Sequence, residues 1–271
     1  MNKTILITGA SSGIGKDTSK LFQLKGWNVI ATMRSPEKEL ELTKLDNTLV
    51  VRLDVLELDS IQNAVEEGVQ RFGKIDVLVN NAGYGAYGPL EAFPRESVLR
   101  QFNTNVIGLL DVTRALLPHF RKNKNGVIVN ISSIGGKMTF PLGSLYHGTK
   151  FAVEGISEAL SFEMGQIGVK VKIVEPGFTA TDFGGRSFDF KNNESMLEYQ
   201  SIVGAMFKVF QSSSENLSPA TLVAEVIYKA TIDESNQLRY SAGADAVHLL
   251  DSRKKMSEDK FIDMIKEQYE L

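Results

Sequence analysis

The stretch Ile5-Leu6-Ile7-Thr8-Gly9-Ala10-Ser11-Ser12-Gly13-Ile14-Gly15 near the N-terminus decides how the chain folds. Its first three residues are apolar and mostly β-branched, which favours a buried strand. The glycines that follow allow a tight turn whose backbone can approach a pyrophosphate at the start of a helix. Their spacing is Gly-x-x-x-Gly-x-Gly, whereas the commoner dinucleotide-binding pattern is Gly-x-Gly-x-x-Gly. Taken alone, the same residues could also form a plain turn between a strand and a helix.

Short apolar runs of the same kind recur along most of the chain. Such runs indicate strands buried on both faces of a parallel sheet. Segments with helical periodicity lie between them, and a helix over Pro219–Thr231 precedes a last strand over Leu238–Ala242. This alternation predicts an α/β fold, a single-domain Rossmann-type doubly wound parallel sheet of about seven strands with helices on both faces. The earlier runs are Ile5–Ile7, Val29–Ala31, Leu49–Val51, Val77–Val79, Val127–Ile131 and Val169–Val174.

Two further segments have distinct patterns. Ser35 is followed by Pro36 and Glu37, and a cap, a first-turn proline and an acidic residue together predict the start of a helix. Residues 178–214 mix many Phe, Met, Ser and Asn residues and are too long for an ordinary connection. We therefore predict one domain over residues 1–271, with 178–214 as an insertion that forms a lid over the substrate.

Composition and charge exclude several classes of site and partner. The chain of 271 residues has no cysteine, which excludes disulfides, thiolate zinc sites and cysteine nucleophiles. Its three histidines are scattered, so we expect no metal site and structural or surface roles, with His147 noted because it adjoins Tyr146. The net charge of −3 gives no reason to expect a nucleic-acid partner. No apolar run approaches the ~18–20 residues that span a bilayer, and the N-terminal run is too short for a signal-peptide core. We therefore expect no membrane span and a cytoplasmic location.

Tyr146 and Lys150 are the candidate acid/base pair. They are four residues apart, so on a helix both side chains emerge from one face. A free phenol has a pKa near ~10, and an ammonium held close to it lowers that pKa. The pair therefore predicts a general acid/base in which Lys150 brings the pKa of Tyr146 towards neutrality. By itself, the same spacing also fits a half-buried Tyr beside a solvated Lys.

Taken together, these motifs resemble the short-chain dehydrogenase/reductases over nearly the whole chain, with the hydroxysteroid and retinol dehydrogenase-like branch closest in pattern. The resemblance implies that Asn105, Ser133, Tyr146 and Lys150 are the catalytic residues. Ser133 stands at the family's usual separation from Tyr146, and its neighbour Ser132 is the alternative if that register is off by one. In the family, the Asn helps to hold a water that relays protons to the Lys.

The resemblance also implies which residues bind a nicotinamide cofactor. The Gly motif would hold the pyrophosphate, Asp54 the adenine, and Thr179 and Thr181 the nicotinamide amide and a phosphate. The full set is Gly9, Ser11, Ser12, Gly13, Ile14, Gly15, Arg34, Asp54, Val55, Asn81, Ala82, Gly83, Tyr146, Lys150, Pro176, Gly177, Thr179 and Thr181.

The end of the second strand predicts which cofactor is preferred. An NAD-specific enzyme of this fold places an acid there to bind the ribose 2′-hydroxyl. This chain has Met33 and then Arg34, whose guanidinium could bind a 2′-phosphate, with Ser11 as a second contact. We therefore predict that NADP(H) is preferred over NAD(H). The alternative is that Arg34 is a solvated charge at the start of a helix.

The predicted function is an NADP(H)-dependent oxidoreductase that interconverts an alcohol and a ketone or aldehyde on a small apolar substrate. The family is usually assembled as a homodimer or homotetramer. The alternatives are a non-catalytic NADP-sensing regulator and a scaffold protein on the same fold. The expected pocket walls are apolar and aromatic, which suits such a substrate: Tyr84, Gly85, Ala86, Met138, Phe140, Leu142, Phe183, Phe188, Phe190, Met196, Tyr199, Met206 and Phe207.

Overall fold

The computed structural model describes residues 2–181, 185, 187–213 and 217–271. The strands are β1 Thr4–Ile7, β2 Asn28–Met33, β3 Thr48–Arg52, β4 Val77–Asn80, β5 Gly85–Tyr87, β6 Gly126–Ile131, β7 Val169–Pro176, β8 Thr179–Ala180, β9 Phe188–Phe190, β10 Ser218–Pro219 and β11 Arg239–Ala242. The helices are α1 Gly13–Leu24, α2 Leu58–Phe72, α3 Arg95–Phe102, α4 Gly108–Asn123, α5 Ser144–Gly165, α6 Leu197–Ser213, α7 Ala220–Ile232, α8 Ala244–Lys255 and α9 Glu258–Gln268.

Seven strands form one parallel sheet in the order β11-β7-β6-β4-β1-β2-β3. The predicted doubly wound α/β sheet is thereby confirmed, and the seven predicted apolar runs supply its strands. The order of the strands reverses at β1, because β2 follows on one side of it and β4 on the other. In open α/β sheets, ligands bind beyond the carboxyl ends of the strands at such a reversal.

Helices cover both faces of this sheet, and the alternation of side chains along each strand explains why. Ile5 and Ile7 point to the face packed against α1 and α7, where Phe22 lies in their core cluster. Leu6 points to the opposite face and packs with residues of α2 and α4, such as Ile61. Burying each large aliphatic side chain in these layers contributes about 1.5–3 kcal/mol relative to exposing it.

A third apolar cluster lies beyond the carboxyl ends of the strands. It combines Met206 of α6, Phe261 of α9 and the nearby Tyr269 with Tyr87 and Tyr146. Phe261, Ile265 and Tyr269 recur at helical spacing, and this apolar face packs in the cluster, since Tyr269 is only 1% exposed. The C-terminal helices therefore help to enclose the space in front of Tyr146.

The helix expected after Ser35 is a single 3₁₀ turn, Pro36–Lys38. The buried carboxylate of Glu39 accepts hydrogen bonds from the amides of Glu41 and Leu42. A side chain that binds nearby amides competes with helix formation. The cap and the proline therefore start only one turn, because Glu39 redirects the chain into a second short turn, Leu42–Lys44.

The buried ammonium of Lys172 holds the edge strand β11 in place, and its loss should destabilise the fold. Its Nζ donates at 2.8 Å to the carbonyl oxygens of Ser235 and Gln237 and at 3.1 Å to Tyr240 Oη. In Lys172→Met, we expect the free energy of unfolding to fall by about 2–4 kcal/mol, because buried acceptors lose their donor. Urea unfolding would measure this. Lys170→Met is the matched control, since Lys170 donates one exposed bond to Glu234. An equal loss in both variants would contradict the prediction.

Candidate active site

Tyr146 and Lys150 both lie in the first part of α5, and both are buried. The Nζ atom of Lys150 lies 5.8 Å from the centre of the Tyr146 ring. It donates a 2.8 Å hydrogen bond to the carbonyl oxygen of Ile131, the last residue of β6. The spacing in sequence thus places the phenol and the ammonium on one helix face, directly at the carboxyl edge of the sheet.

Burial dominates the protonation of both side chains. It raises the pKa of Tyr146 to about 12, and a hydrogen bond with Ser133 lowers that pKa only in part. Burial likewise lowers the pKa of Lys150 to about 8, and the charge of Glu154 acts in the opposite direction. The expected lowering of the Tyr146 pKa by Lys150 is not met, because burial raises that pKa and the Lys150 ammonium donates its hydrogen bond to Ile131. Tyr146 is therefore a protonated donor at ordinary pH.

Ser133, and not its neighbour Ser132, is the serine that reaches Tyr146. It precedes the turn Ile134–Gly136, and its Oγ accepts a 3.0 Å hydrogen bond from the amide of Gly135. Ser132 is 3% exposed, and its Oγ is buried with no hydrogen-bond partner. The register that the sequence predicted thus brings the hydroxyl of Ser133 to the phenol.

Asn105 lies in a π-helical turn, Asn103–Ile107, between α3 and α4. Its side chain accepts from the amide of Tyr84 at 3.1 Å and donates to the carbonyl of Tyr84 at 2.9 Å and to Thr149 Oγ1 at 3.1 Å. Single π-turns within helices are frequent at functional sites. Asn105 therefore ties the loop after β4 to α5, and its part in a water relay stays a prediction.

The glycine loop joins β1 to α1 as predicted. Gly9 and Gly13 have positive φ angles of 68° and 52°, a region that favours glycine. Thr8 Oγ1 accepts 3.0 Å hydrogen bonds from the amides of Asn81 and Ala82, and Asn81 Nδ2 donates back to the carbonyls of Thr8 and Gly9. The loops that follow β1 and β4 are thus locked together at the point where the strand order reverses.

The other predicted cofactor residues lie around the same edge. A Cβ at Gly13 would lie 3.0 Å from Thr181 Cγ2, so Thr181 closes over the start of α1. Gly177 donates to the carbonyl of Ala242, and the Thr179 hydroxyl donates to the carbonyl of Gly177. A cavity of about 540 Å³ opens there, lined by Gly13, Asp17, Ala180, Thr181, Leu217 and Ala220. The cavity therefore lies at the start of α1, where a pyrophosphate would bind.

At the opposite end of this edge, Asp54 and Val55 follow β3. The carboxylate of Asp54 accepts from the amide of Leu56 at 3.0 Å, and Val55 packs against Gly108. Met33, at the end of β2, is 3% exposed and belongs to the core. Arg34 follows it and is exposed, and no hydrogen bond or ion pair joins its guanidinium to any other residue that the structure describes.

Comparisons with known proteins agree with this geometry. The family model of the short chain dehydrogenases matches residues 3–192. An uncharacterized oxidoreductase of Schizosaccharomyces pombe is 47% identical over 230 residues, which are 85% of this chain and 96% of the relative. The crystal structure of a short-chain dehydrogenase from Streptomyces avermitilis superposes with a TM-score of 0.85 at 34% identity, covering 98% of this chain and 95% of the other.

The chain belongs to the short-chain dehydrogenase family.

Other solved structures similar to this chain differ in the cofactor that they hold. ElxO with NADP bound is 30% identical, with a TM-score of 0.75, and the match covers 92% of this chain and all of ElxO. A 3-ketoacyl-(acyl-carrier-protein) reductase from Brucella melitensis complexed with NADH is 25% identical, with a TM-score of 0.75, covering 90% and 98% of the two chains. Solved structures similar to this chain thus hold either NADP or NADH.

An aromatic cover lies over Tyr146. Its central residue is Tyr87, which is not among the pocket walls that the sequence predicts. The ring of Tyr87 lies 5.5 Å from that of Tyr146, and stacks at 5.4 Å on Phe188. The reason is that residues 85–87 form strand β5, paired with β9, so alternate side chains face opposite sides. Tyr84 and Ala86, which were expected to line the pocket, pack instead with Leu145 in a separate cluster. The alternation of Tyr84, Ala86 and Tyr87 could have separated the two faces.

Among the remaining expected pocket walls, Gly85 is buried in β5 and Met196 is half-buried just before α6. The others fall into three groups. Met138 and Met206 are buried in the cluster that contains Tyr146, and Phe140, Leu142, Phe188 and Phe190 pack against it. Phe207 is 46% exposed, and Tyr199 is directed outward to Glu91. Phe183 lies outside the described residues. The insertion therefore contributes to the cover through one face of α6 and through β9.

His147 and His119 are held by hydrogen bonds within the fold. His147 is 2% exposed; its Nε2 accepts from the amide of Phe140, and its Nδ1 faces the carbonyl of Gly135 at 3.0 Å. Burial lowers its pKa to about 4, which fits a neutral structural residue. His119 Nε2 similarly accepts from the amide of Ile75.

Across the residues that the structure describes, no helix has the length and apolarity needed to cross a membrane, and no group of metal-ligating side chains is assembled.

Proposed function

We propose that this short-chain dehydrogenase interconverts an alcohol and a ketone or aldehyde on a small apolar substrate, with NADP(H) as the preferred cofactor. One observation carries the proposal: Tyr146, Ser133 and Lys150 meet at the carboxyl edge of the sheet, between the glycine loop and an apolar cover. Proton donors beside a glycine loop that can hold phosphates suit hydride transfer to a carbonyl.

The residues present fit a nicotinamide cofactor. The loop Gly9–Gly15 and the cavity beside Thr181 leave room for a pyrophosphate at the start of α1. Asp54 and Val55 would hold the adenine, and Thr179 and Thr181 the nicotinamide amide and a phosphate. When bound, the cofactor supplies or accepts the hydride.

The side chains of the site would manage the substrate oxygen and its proton. Tyr146, protonated because burial raises its pKa, donates to the carbonyl oxygen in reduction and accepts from the alcohol in oxidation. Ser133 hydrogen-bonds both the phenol and the incoming oxygen, and so orients it. Lys150 supplies positive charge beside the phenol and a donor for the cofactor ribose. Asn105 keeps the loop after β4 in register with α5.

Arg34 supports the preference for NADP(H), because it is exposed directly after β2 and is not engaged by any other described side chain. In Arg34→Ala, we expect kcat/KM with NADPH to fall at least about 10-fold while the value with NADH changes little, since one charge-assisted phosphate contact is lost. Steady-state kinetics with both cofactors would measure the ratio. Arg52→Ala is the control, because Arg52 is an exposed arginine paired with Glu57. A wild-type enzyme that prefers NADH would contradict the assignment.

A panel of aldehydes, ketones and quinones of rising apolarity, followed by NADPH oxidation, tests the function itself. We expect turnover that increases with apolar size, because the cover is built from Tyr87, Phe188 and Met206. Binding of NADPH without turnover on any compound would favour the alternative, an NADP-sensing regulator. The meeting of Ser133 with the buried Tyr146 and Lys150 supports the enzyme.

Two structural features accompany this proposal. Within one domain of residues 1–271, we propose that 178–214 forms a lid, because Met206 and Val209 of α6 pack in the cluster that contains Tyr146. We also propose a homodimer or homotetramer. Its support is a set of exposed apolar side chains on the turns and helices from α3 to α5, namely Phe102, Ile107, Phe151 and Phe162.

A further inference from the structure

Glu154 lies one helical turn beyond Lys150 on α5, just as Lys150 lies one turn beyond Tyr146. It is 4% exposed, and its Oε2 accepts a 2.8 Å hydrogen bond from Nε of Arg239, the first residue of β11. Side chains four apart on a helix are neighbours. A buried carboxylate is therefore fixed one helical turn from Lys150, on the side away from Tyr146.

Arg239 is shared by three carboxylates. Its Nη2 also donates to Glu158, and its Nε lies 3.8 Å from Glu175 Oε1. The Oε1 atoms of Glu154 and Glu175 are both buried without a hydrogen-bond partner. Burial and the charge of Glu154 raise the pKa of Glu175 to about 7. The other charged groups around this cluster are Lys137, Lys254 and Lys150.

The cluster is connected to the catalytic turn as well as to the catalytic helix. A Cβ at Gly136 would lie 2.6 Å from Ser132 Oγ, 2.9 Å from Glu154 Cγ and 2.9 Å from the carbonyl oxygen of Lys150. The turn that carries Ser133 therefore packs directly on Glu154. The backbone of that turn therefore lies directly against both Glu154 and the backbone of Lys150.

Lys150 needs such a carboxylate, because its ammonium is buried. Among neutral partners it has the carbonyl of Ile131. Burial favours the uncharged amine, and the charge that offsets this effect is that of Glu154. Glu158 is also a carboxylate bound to Arg239, but its side chain is 53% exposed and it lies another turn away.

We propose that Glu154, held in place by Arg239, is a positioning residue that keeps the ammonium of Lys150 charged and aligned with Tyr146. The inference rests on the proposed function, since it assigns Glu154 to the same site. It extends the Tyr146-x-x-x-Lys150 pair to a stripe of three titratable residues along α5. It also gives the edge strand β11 a part in catalysis, because β11 supplies the arginine.

The first test uses the protein alone, without cofactor or substrate. Lysine side chains labelled with ¹³C and ¹⁵N are titrated by NMR, and Lys150→Arg identifies the Lys150 signal by its loss. In Glu154→Gln, we expect the pKa of Lys150 to fall by about one unit, because removing a nearby negative charge disfavours the ammonium. Glu158→Gln, which also removes a carboxylate from Arg239, should move it much less. Equal shifts in both variants, or none in either, would overturn the proposal.

A second variant tests the part of Arg239. Arg239→Gln removes the group that holds Glu154 in place, so the pKa of Lys150 should fall, whereas the loss of a nearby positive charge alone would raise it. This variant also keeps the test decisive if Glu154→Gln does not fold. A rise in the pKa of Lys150 in Arg239→Gln would count against the proposal.

The second test is the pH profile of carbonyl reduction with NADPH. In Glu154→Gln, the alkaline limb of kcat/KM should move to lower pH by the same amount as the pKa of Lys150, and Glu154→Asp should restore most of the shift. A purely structural role would lower the rate at every pH without moving the limb. If the wild type turns over no substrate, the proposed function fails while the NMR titration still decides the role of Glu154. If the wild type is active and the pKa of Lys150 is unchanged in Glu154→Gln, only this inference fails.

Discussion

Tyr146→Phe should reduce kcat for carbonyl reduction by about 10²–10⁴-fold, the range expected when a general acid is removed. The substitution deletes one hydroxyl from a ring that is 8% exposed and leaves its packing against Tyr87 in place. The affinity for NADPH should therefore stay within about 2-fold of the wild type, because the glycine loop and Arg34 are untouched. Single-turnover kinetics and a fluorescence titration of NADPH would measure the two quantities separately.

Tyr84→Phe is the matched control for that loss. The hydroxyl of Tyr84 is buried without a hydrogen-bond partner, and the ring packs on the far side of β5. Its removal should leave kcat close to the wild-type value. Retention of most of the activity in Tyr146→Phe would mean that another group donates the proton, and a similar loss in both variants would mean that packing, not chemistry, is being measured.

The sheet could be predicted from sequence because its signal is local. Each central strand is a short apolar run buried on both faces, as Ile5–Ile7 and Val77–Val79 show. The strand order is then restricted by the rule that connections between parallel strands are short and right-handed. The single 3₁₀ turn after Ser35 could not be predicted from such a local pattern. It forms because the carboxylate of Glu39 binds the amides of Glu41 and Leu42.

The candidate site could be predicted only where spacing carries the information. Tyr146 and Lys150 share a helix face by their separation. Asn105, which lies in a π-turn, was placed by family resemblance. Ser133 was placed by family resemblance. Tyr87 and Glu154 were missed because their importance comes from burial and from partners distant in sequence, Phe188 and Arg239.

The pKa of Tyr146 shows where a local argument fails. Spacing predicts that an ammonium lies near the phenol, and it does, at 5.8 Å from the ring centre. Spacing says nothing about burial, and both side chains are buried in the assembled fold. Desolvation then raises the pKa of Tyr146 and lowers that of Lys150. The balance between charge and burial is therefore a property of the assembled site.

Gly15→Ala should both weaken NADPH binding and destabilise the fold. A Cβ at this position would be driven into the carbonyl oxygen of Gly9 and would lie 2.6 Å from Asn81 Nδ2. Both are partners in the hydrogen bond that locks the loop after β1 to the loop after β4. We expect the free energy of unfolding to fall by about 1–3 kcal/mol, the usual cost of overpacking. The dissociation constant of NADPH should rise at least about 10-fold, because each displaced amide loses its alignment with the pyrophosphate.

Gly204→Ala provides the comparison that separates close approach from helix propensity. Gly204 lies in α6, and an added Cβ there would have no neighbouring atom within 4 Å. Alanine should raise the free energy of unfolding by about 0.5–1 kcal/mol at such a helical position and leave NADPH binding unchanged. Thermal unfolding and calorimetric titration of both variants would test this. If Gly15→Ala bound NADPH as tightly as Gly204→Ala, the loop would not be the cofactor cradle, and the assignment of Gly9, Gly13 and Gly15 would have to be abandoned.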